Sequence, residues 1–241
     1  MPSKPEALPP VACIMPTWNR RRFVPQAIRY FLRQDYAAKE LLIVDDGTDP
    51  IGDVVPADER IRYVRLEKKT TVGAKRNLAC ALAQGEIIVH WDDDDWMADW
   101  RLSYQVEQLR REGADICGLR RILFFDPVAA AAWEYAYPGT TKPWVYGATL
   151  CYNRAFWREN PFPDVNVGED TRFVWSDPMA KVLALADNRW LAAVVHPGNT
   201  SAKQPEGSCW TARSWREIQQ LIGQDGPFYA AMGTAPPASA G

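Results

Sequence analysis

Four consecutive carboxylates, Asp92, Asp93, Asp94 and Asp95, follow the apolar run Ile87-Ile88-Val89 and then His90 and Trp91. The β-branched run has the composition of a buried strand. Four adjacent negative charges at the end of such a strand repel one another and raise some of their own pKa values. A hard divalent cation, Mg²⁺ or Mn²⁺, removes the conflict, because it takes oxygen ligands and is shared between carboxylates and phosphates. In an extended segment alternate side chains point the same way, so Asp92 and Asp94 are expected to face one site and Asp93 to face elsewhere. The competing reading is a solvated acidic turn ahead of a helix.

A second oddity lies upstream. Lys75 and Arg76 fall in the first turn of a helix expected over 72–84, where the macrodipole disfavours cations by a few tenths of a kcal/mol. Gly73 leaves room there for close backbone approach. An anion beside this turn, a nucleotide or diphosphate reached by Arg76 and Asn77, accounts for both features; a solvated basic turn is the alternative. The stretch Asp45-Asp46-Gly47-Thr48 is a strand-end turn whose carboxylates can accept from a base or ribose, or close an Asx-turn. Gly168-Glu169-Asp170 opens a short acidic helix start, favoured by the dipole.

These residues need elements to hold them. Strands are expected at 11–15, 41–44, 61–66 and 87–91, with helices at 25–34, where Ile28, Phe31 and Leu32 repeat at helical spacing, and at 72–84, with Leu78 and Leu82 on one face and Gly85 as terminator. Alternating strand and helix implies a mainly parallel sheet covered by helices, with ligands at the carboxyl ends of its strands. Thr17, Asp45, Asp46 and residues 92–95 all fall at such ends. Leu102, Val106 and Leu109 mark another helix. Beyond Ala114 the pattern is irregular: strands at 116–125, 147–152 and 190–195, a short helix at 171–176, and a helix at 210–222.

Read together, PTWNR, VDDGT, VGAKRN, GEIIVHWDDDDW and GED, in that order, closely resemble the family 2 glycosyltransferases of GT-A fold. The likeness is strong from Val11 to about Leu109, thinner from Ala114 to Ser201, and absent from the last ~20 residues. It implies an α/β fold with a Rossmann-like nucleotide-binding sheet, flanking helices and a more irregular acceptor half. It implies that Thr17, Asp45, Asp46, Arg76 and Asp92 bind the nucleotide end of a donor. The family's Asp-x-Asp motif falls on residues 92–94, and the fourth aspartate leaves the metal ligand as Asp94 or Asp95. Glu169 and Asp170 resemble the catalytic acidic pair, with Asp170 taking a proton from the acceptor hydroxyl. His196-Pro197-Gly198-Asn199 resembles a loop closing over the donor, with His196 adding a metal or diphosphate contact; His90 reads as structural. The implied activity is inverting, metal-dependent sugar transfer from a nucleoside-diphosphate sugar, UDP-sugar favoured, to a glycan, lipid-linked or small-molecule hydroxyl.

The totals bound the alternatives. With 241 residues, 47% hydrophobic and 24% charged, this is an ordinary globular chain. A net charge of -2 gives no global pull toward nucleic acid or an anionic membrane. Eleven Trp is many, and Trp144, Tyr146, Trp175 and Trp210 are candidates for sugar sites. Five scattered cysteines, no secretory leader and no uncharged apolar run near the ~18 residues of a span lead us to expect a cytoplasmic protein, with peripheral membrane contact left open. The organisation expected is a leader at 1–10, a nucleotide-sugar half at 11–113, an acceptor half at 114–232 and a disordered tail at 233–241. Two rivals remain: a sugar-phosphate nucleotidyltransferase, which would show a glycine-rich phosphate loop after the first strand, and a non-catalytic carbohydrate-binding protein.

Overall fold

The computed structural model describes residues 8–138, 142–201 and 203–234. The elements run β1 (Val11–Thr17), α1 (Val24–Arg33), β2 (Lys39–Asp45), β3 (Ile61–Arg65), α2 (Val72–Leu82), β4 (Ile87–His90), β5 (Trp96–Met97) and α3 (Arg101–Arg111). The second part adds β6 (Ile116–Leu119), β7 (Arg121–Asp126), β8 (Ala131–Ala136), β9 (Cys151–Asn153), α4 (Arg154–Glu159), α5 (Glu169–Val174), β10 (Val182–Leu185), β11 (Leu191–Val194), β12 (Trp210–Arg213), α6 (Trp215–Ile222) and α7 (Gly226–Ala230).

Seven strands form one sheet in the order β10-β6-β9-β4-β1-β2-β3. β4, β1, β2 and β3 are mutually parallel, and β9 is the antiparallel insert between β4 and β6. Both faces are covered, which is why β1 and β2 read as continuous apolar runs. Val11, Cys13 and Met15 point into one core with Phe31 of α1 and Leu102 of α3. Ala12 and Ile14 point into the other, with Ala79 and Cys80 of α2. β12-β8-β7-β11-β5 form a second, mostly antiparallel sheet that packs into the first of these cores.

The parallel unit agrees closely with expectation, as do the later β11 and α5; other later segments do not. The strand expected over 116–125 is two strands, β6 and β7, in different sheets, because the chain turns at Arg120. The helix expected over 210–222 begins as β12, and 147–152 is a 3₁₀ turn followed by β9. β8 and β10 have no counterpart among the expected strands. Helix α2 ends at Leu82, ahead of Gly85, and buries Ala79 and Cys80 while Leu78 and Leu82 stay half-exposed. Gly85 serves packing instead: a Cβ there would lie 2.4 Å from the Ala12 nitrogen. The expected leader lies outside the described residues up to residue 7, and the expected tail from residue 235 onward. Among the described residues no helix is long and apolar enough to cross a membrane.

Candidate active site

The strand order reverses at β1, with β2 on one side and β4 on the other, and this switch point is where an open parallel sheet forms a crevice. A cavity of about 780 Å³ opens there. Its lining includes Thr17, Arg20, Lys75, Arg76, all four aspartates 92–95, Tyr146, Glu169 and Asp170.

Each aspartate has its own partner. Asp93 turns toward β1 and accepts from the Thr17 hydroxyl at 2.6 Å, so the expectation that it faces away from the site is wrong. The chain leaves the strand geometry after His90, and simple alternation no longer applies. Arg20 lies 3.8 Å from Asp93 and 3.6 Å from Asp94. Asp94 also meets the His196 Nε2 at 3.0 Å and the Asn199 amide at 3.4 Å. Asp95 accepts from the Val194 backbone N–H at 3.1 Å, which ties the acidic turn to β11. Asp92 is half-exposed and lies 4.0 Å from Arg76.

The electrostatics follow from this division. Burial and the Asp94 charge push the Asp93 carboxyl up to about 7, against the pull of Arg20 and Thr17. Burial and the charges of Asp94 and Asp92 push Asp95 well above the ordinary carboxylate range. Burial works the same way on Asp94, but the His196 hydrogen bond and Arg20 outweigh it and hold that carboxyl low. Asp94 is therefore the aspartate of this turn kept ionised most firmly. Beneath the turn, the fully buried Arg101 donates to the carbonyls of His90 and Ala148 at 2.8 and 3.0 Å. Burial lowers its pKa to about 10, and it stays a cation between the rings of Trp91 and Trp190.

The cations of the α2 first turn have carboxylate partners inside the protein, so no external anion is required to explain them. Lys75 Nζ donates to Asp46 at 2.7 Å and to the Thr17 carbonyl at 3.0 Å. Arg76 pairs with Glu169. Its buried Nε finds no hydrogen-bond partner among the described residues. Asn77 is used structurally: it exchanges hydrogen bonds with the Phe162 backbone at 2.8 and 2.9 Å and accepts from Trp157 at 2.9 Å. Gly73 does permit close approach, but of the Pro163 carbonyl.

Asp45 is likewise a correction. Its buried carboxylate accepts from the N–H groups of Gly47 and Ile51 and from the Tyr63 hydroxyl, at 2.8, 3.2 and 2.7 Å. It closes the turn and stays out of the cavity. Asp46 is spent on Lys75 and the Thr70 N–H, the latter at 2.8 Å, and it too stands behind the lining.

The acidic pair divides cleanly. Glu169 is buried on Arg76, and burial raises its pKa while Arg76 pulls the other way. Asp170 faces the cavity. Its Oδ1 accepts from the Thr171 N–H at 2.6 Å, and its Oδ2 lies 2.0 Å from the point that a Cβ on Gly147 would occupy. Only glycine fits at 147 without displacing the carboxylate. The Gly147 carbonyl takes the His90 Nδ1 proton at 2.7 Å. Burial lowers the His90 pKa well below its ordinary value, so the ring is neutral and structural, as expected. Of the aromatic candidates, Tyr146 lines the cavity; Trp144, Trp175 and Trp210 do not. Sequence reasoning singled out Lys75 without its carboxylate partner and turned Asp93 away from the site, and it did not find Arg101, Phe124 or Lys203.

Among the described residues no three His, Cys, Asp or Glu side chains converge as a metal-binding group. Asp94 and His196 do fit as a pair on an ion that is shared with phosphates. Their 3.0 Å separation suits a hydrogen bond, and two neighbouring ligands of an octahedral ion at about 2.1 Å also stand about 3.0 Å apart. Asp95, tied to β11, is the poorer candidate.

Comparison with known proteins bears on the family and the fold. The chain is 42% identical over 100 residues to a putative colanic acid biosynthesis glycosyl transferase of Escherichia coli (strain K12), a stretch that is 39% of this chain and 36% of that protein. It is 26% identical over 117 residues to a GalNAc(5)-diNAcBac-PP-undecaprenol beta-1,3-glucosyltransferase of Campylobacter jejuni, 46% of this chain and 38% of that protein. The chain thus spans well under half the length of these curated relatives. The S. aureus TarS 1-349 structure in complex with UDP-GlcNAc superposes with a TM-score of 0.64 at 17% identity, over 93% of this chain and 71% of that one. The mannosyltransferase PcManGT from Pyrobaculum calidifontis, in complex with GDP-Man and Mn²⁺, gives 0.62 at 20% identity, over 79% and 57%. These likenesses identify the fold as GT-A type. The family model for glycosyl transferase family 2 matches residues 12–164, more than half of the 241, and the chain belongs to that family.

Proposed function

We propose that this protein transfers a sugar, with inversion, from a nucleoside-diphosphate sugar to an acceptor hydroxyl, using a divalent cation. UDP-sugar is our favoured donor. The observation that carries the reading is the division of the acidic pair: Glu169 is occupied by Arg76, while Asp170 opens on the cavity that the four aspartates also line.

In this reading the nucleoside lies at the Thr17–Asp93 end, held by the switch point between β1 and β4. Arg76 lines the cavity where it can meet the donor, and Asp92 faces the ribose or the donor sugar. Asp94 and His196 are the residues that would hold a cation, whose charge would favour departure of the diphosphate. Asp170 takes the proton of the acceptor hydroxyl as that oxygen attacks the anomeric carbon from the face opposite the diphosphate. The N–H of Thr171 holds Asp170, and Gly147 leaves the space it fills.

The test is calorimetric titration with UDP and GDP, with and without Mn²⁺, followed by turnover of the matching sugar nucleotides. Metal-linked binding with release of nucleoside diphosphate supports transfer. Pyrophosphate release from a nucleoside triphosphate and a sugar phosphate would move the protein to the nucleotidyltransferases, and binding without turnover would leave a carbohydrate-binding role.

A further inference from the structure

The cavity changes character beyond Asp170. At the nucleotide end, Lys75 sits on Asp46, and Arg20 lies beside Asp93 and Asp94. At the other end the wall is aromatic. Phe124 of β7 and Tyr146 both line it, their rings edge to face with centroids 5.8 Å apart. Tyr146 immediately precedes Gly147, on which the Asp170 carboxylate rests, so this aromatic end adjoins the carboxylate we read as the base. Lys203 reaches in over it, its ammonium 5.6 Å from the Tyr146 centroid and 5.9 Å from that of Phe124. Among the described residues Lys203 has no ion pair. Asp95 feels its charge but is tied to the Val194 N–H.

We propose that the Phe124–Tyr146–Lys203 end is the acceptor subsite, and that the acceptor sugar carries an anionic group, a carboxylate or a phosphate, bound by Lys203. The inference rests on the glycosyl-transfer reading. A reacting hydroxyl has to lie within hydrogen-bond reach of its base, which confines the acceptor to the side of the cavity next to Asp170. Aromatic faces there suit the apolar C–H face of a sugar ring. An ammonium held over such rings and without a carboxylate ion pair among the described residues is placed to bind an anion on the ligand. A neutral sugar would leave the charge as it stands. Arg20, Lys75 and Arg76 already have carboxylates beside them and Lys69 lies over the Trp18 ring, so Lys203 is the cavity cation placed beside the aromatic wall next to Asp170.

The experiment uses the whole chain saturated with UDP or GDP, whichever binds. Glucuronate, galacturonate and glucose 1-phosphate are titrated against this complex, with glucose and galactose as neutral controls, for wild type, Lys203→Met and Lys203→Arg. In wild type an acidic sugar binds tighter than its neutral control by roughly tenfold or more, the scale of one charge-assisted hydrogen bond. Lys203→Met erases that preference while nucleotide affinity stays within about twofold, and Lys203→Arg restores most of it. A preference for the uronates alone assigns a carboxylate; one for glucose 1-phosphate alone assigns a phosphate. Equal binding of acidic and neutral sugars by wild type overturns the proposal. So does a Lys203→Met protein that loses nucleotide affinity in step with the sugars, since Lys203 would then belong to the donor. Failure of both nucleotides to bind removes the glycosyl-transfer reading itself.

Discussion

Asp170 and Glu169 are neighbours in sequence with different surroundings, and their substitutions should separate accordingly. Asp170→Asn keeps the shape that fits Gly147 but removes the basic oxygen. Nucleotide binding should persist while kcat falls by ~10²–10⁴, the usual worth of a positioned acid–base group. Glu169→Gln should cost less in kcat and more in folding, because it leaves Arg76 buried without its counter-charge. Near-normal kcat in Asp170→Asn with a collapse in Glu169→Gln would transfer the role. Arg76→Ala carries the mirror penalty. Its loss strands Glu169, so urea unfolding should show destabilisation of roughly 3–5 kcal/mol, the scale for breaking a buried pair. The sequence alone suggests a first-turn cation that can be removed cheaply; the paired carboxylate, 93 residues away, is invisible there.

The elements explain what was legible and what was not. The buried parallel strands β1, β2 and β4 are continuous apolar runs, and with the alternating β3 they could be found within two residues of their ends. Thr17 and residues 92–95 meet at one cavity because strand ends in such sheets share one edge, whereas Asp45 and Asp46 turn away from it. The second sheet lacks this regularity. Residues 116–125 form an unbroken apolar stretch on either side of Arg120 and Arg121, and nothing local says that the chain changes sheets between them. The role of Gly73 illustrates the same limit. A local reading gives backbone approach to a ligand; the actual visitor is the 163–166 loop, where Val165 accepts from the Gly73 N–H at 3.2 Å and Asn166 from Val72 at 3.1 Å. That loop leads directly to Glu169 and Asp170. Gly73→Ala would put a methyl 2.0 Å from the Pro163 carbonyl, so backbone must shift. The expected outcome is loss of roughly 1–3 kcal/mol of stability, the range for overpacking, with a reduced kcat at unchanged expression. Wild-type stability and kcat together would show that this seam is slack.

At the scale of the whole molecule, four aspartates are folded into one turn, and the stability of the ligand-free protein should record the strain. Asp93 is the clearest case, since its carboxyl is pushed up to about 7 by burial and by Asp94. A carboxyl whose folded pKa exceeds its unfolded value binds the proton more tightly when folded. Its contribution to stability is complete below the unfolded value, near 3.8, and disappears as pH rises through about 7. Ligand-free protein should therefore lose on the order of 2 kcal/mol between pH 5 and pH 8 from this group. Asp95, also raised, pushes in the same direction. Asn at position 93 mimics the protonated form and still offers an oxygen to the Thr17 hydroxyl. Asp93→Asn should flatten the profile, matching wild type near pH 5 and exceeding it near pH 8 in urea unfolding. If the variant follows the wild-type curve at both ends, Asp93 ionises in the folded protein without cost, and Arg20 must be compensating it in full. If instead the variant is weaker throughout, the Thr17–Asp93 bond matters more than the charge repulsion, and the switch point between β1 and β4 depends on it for stability.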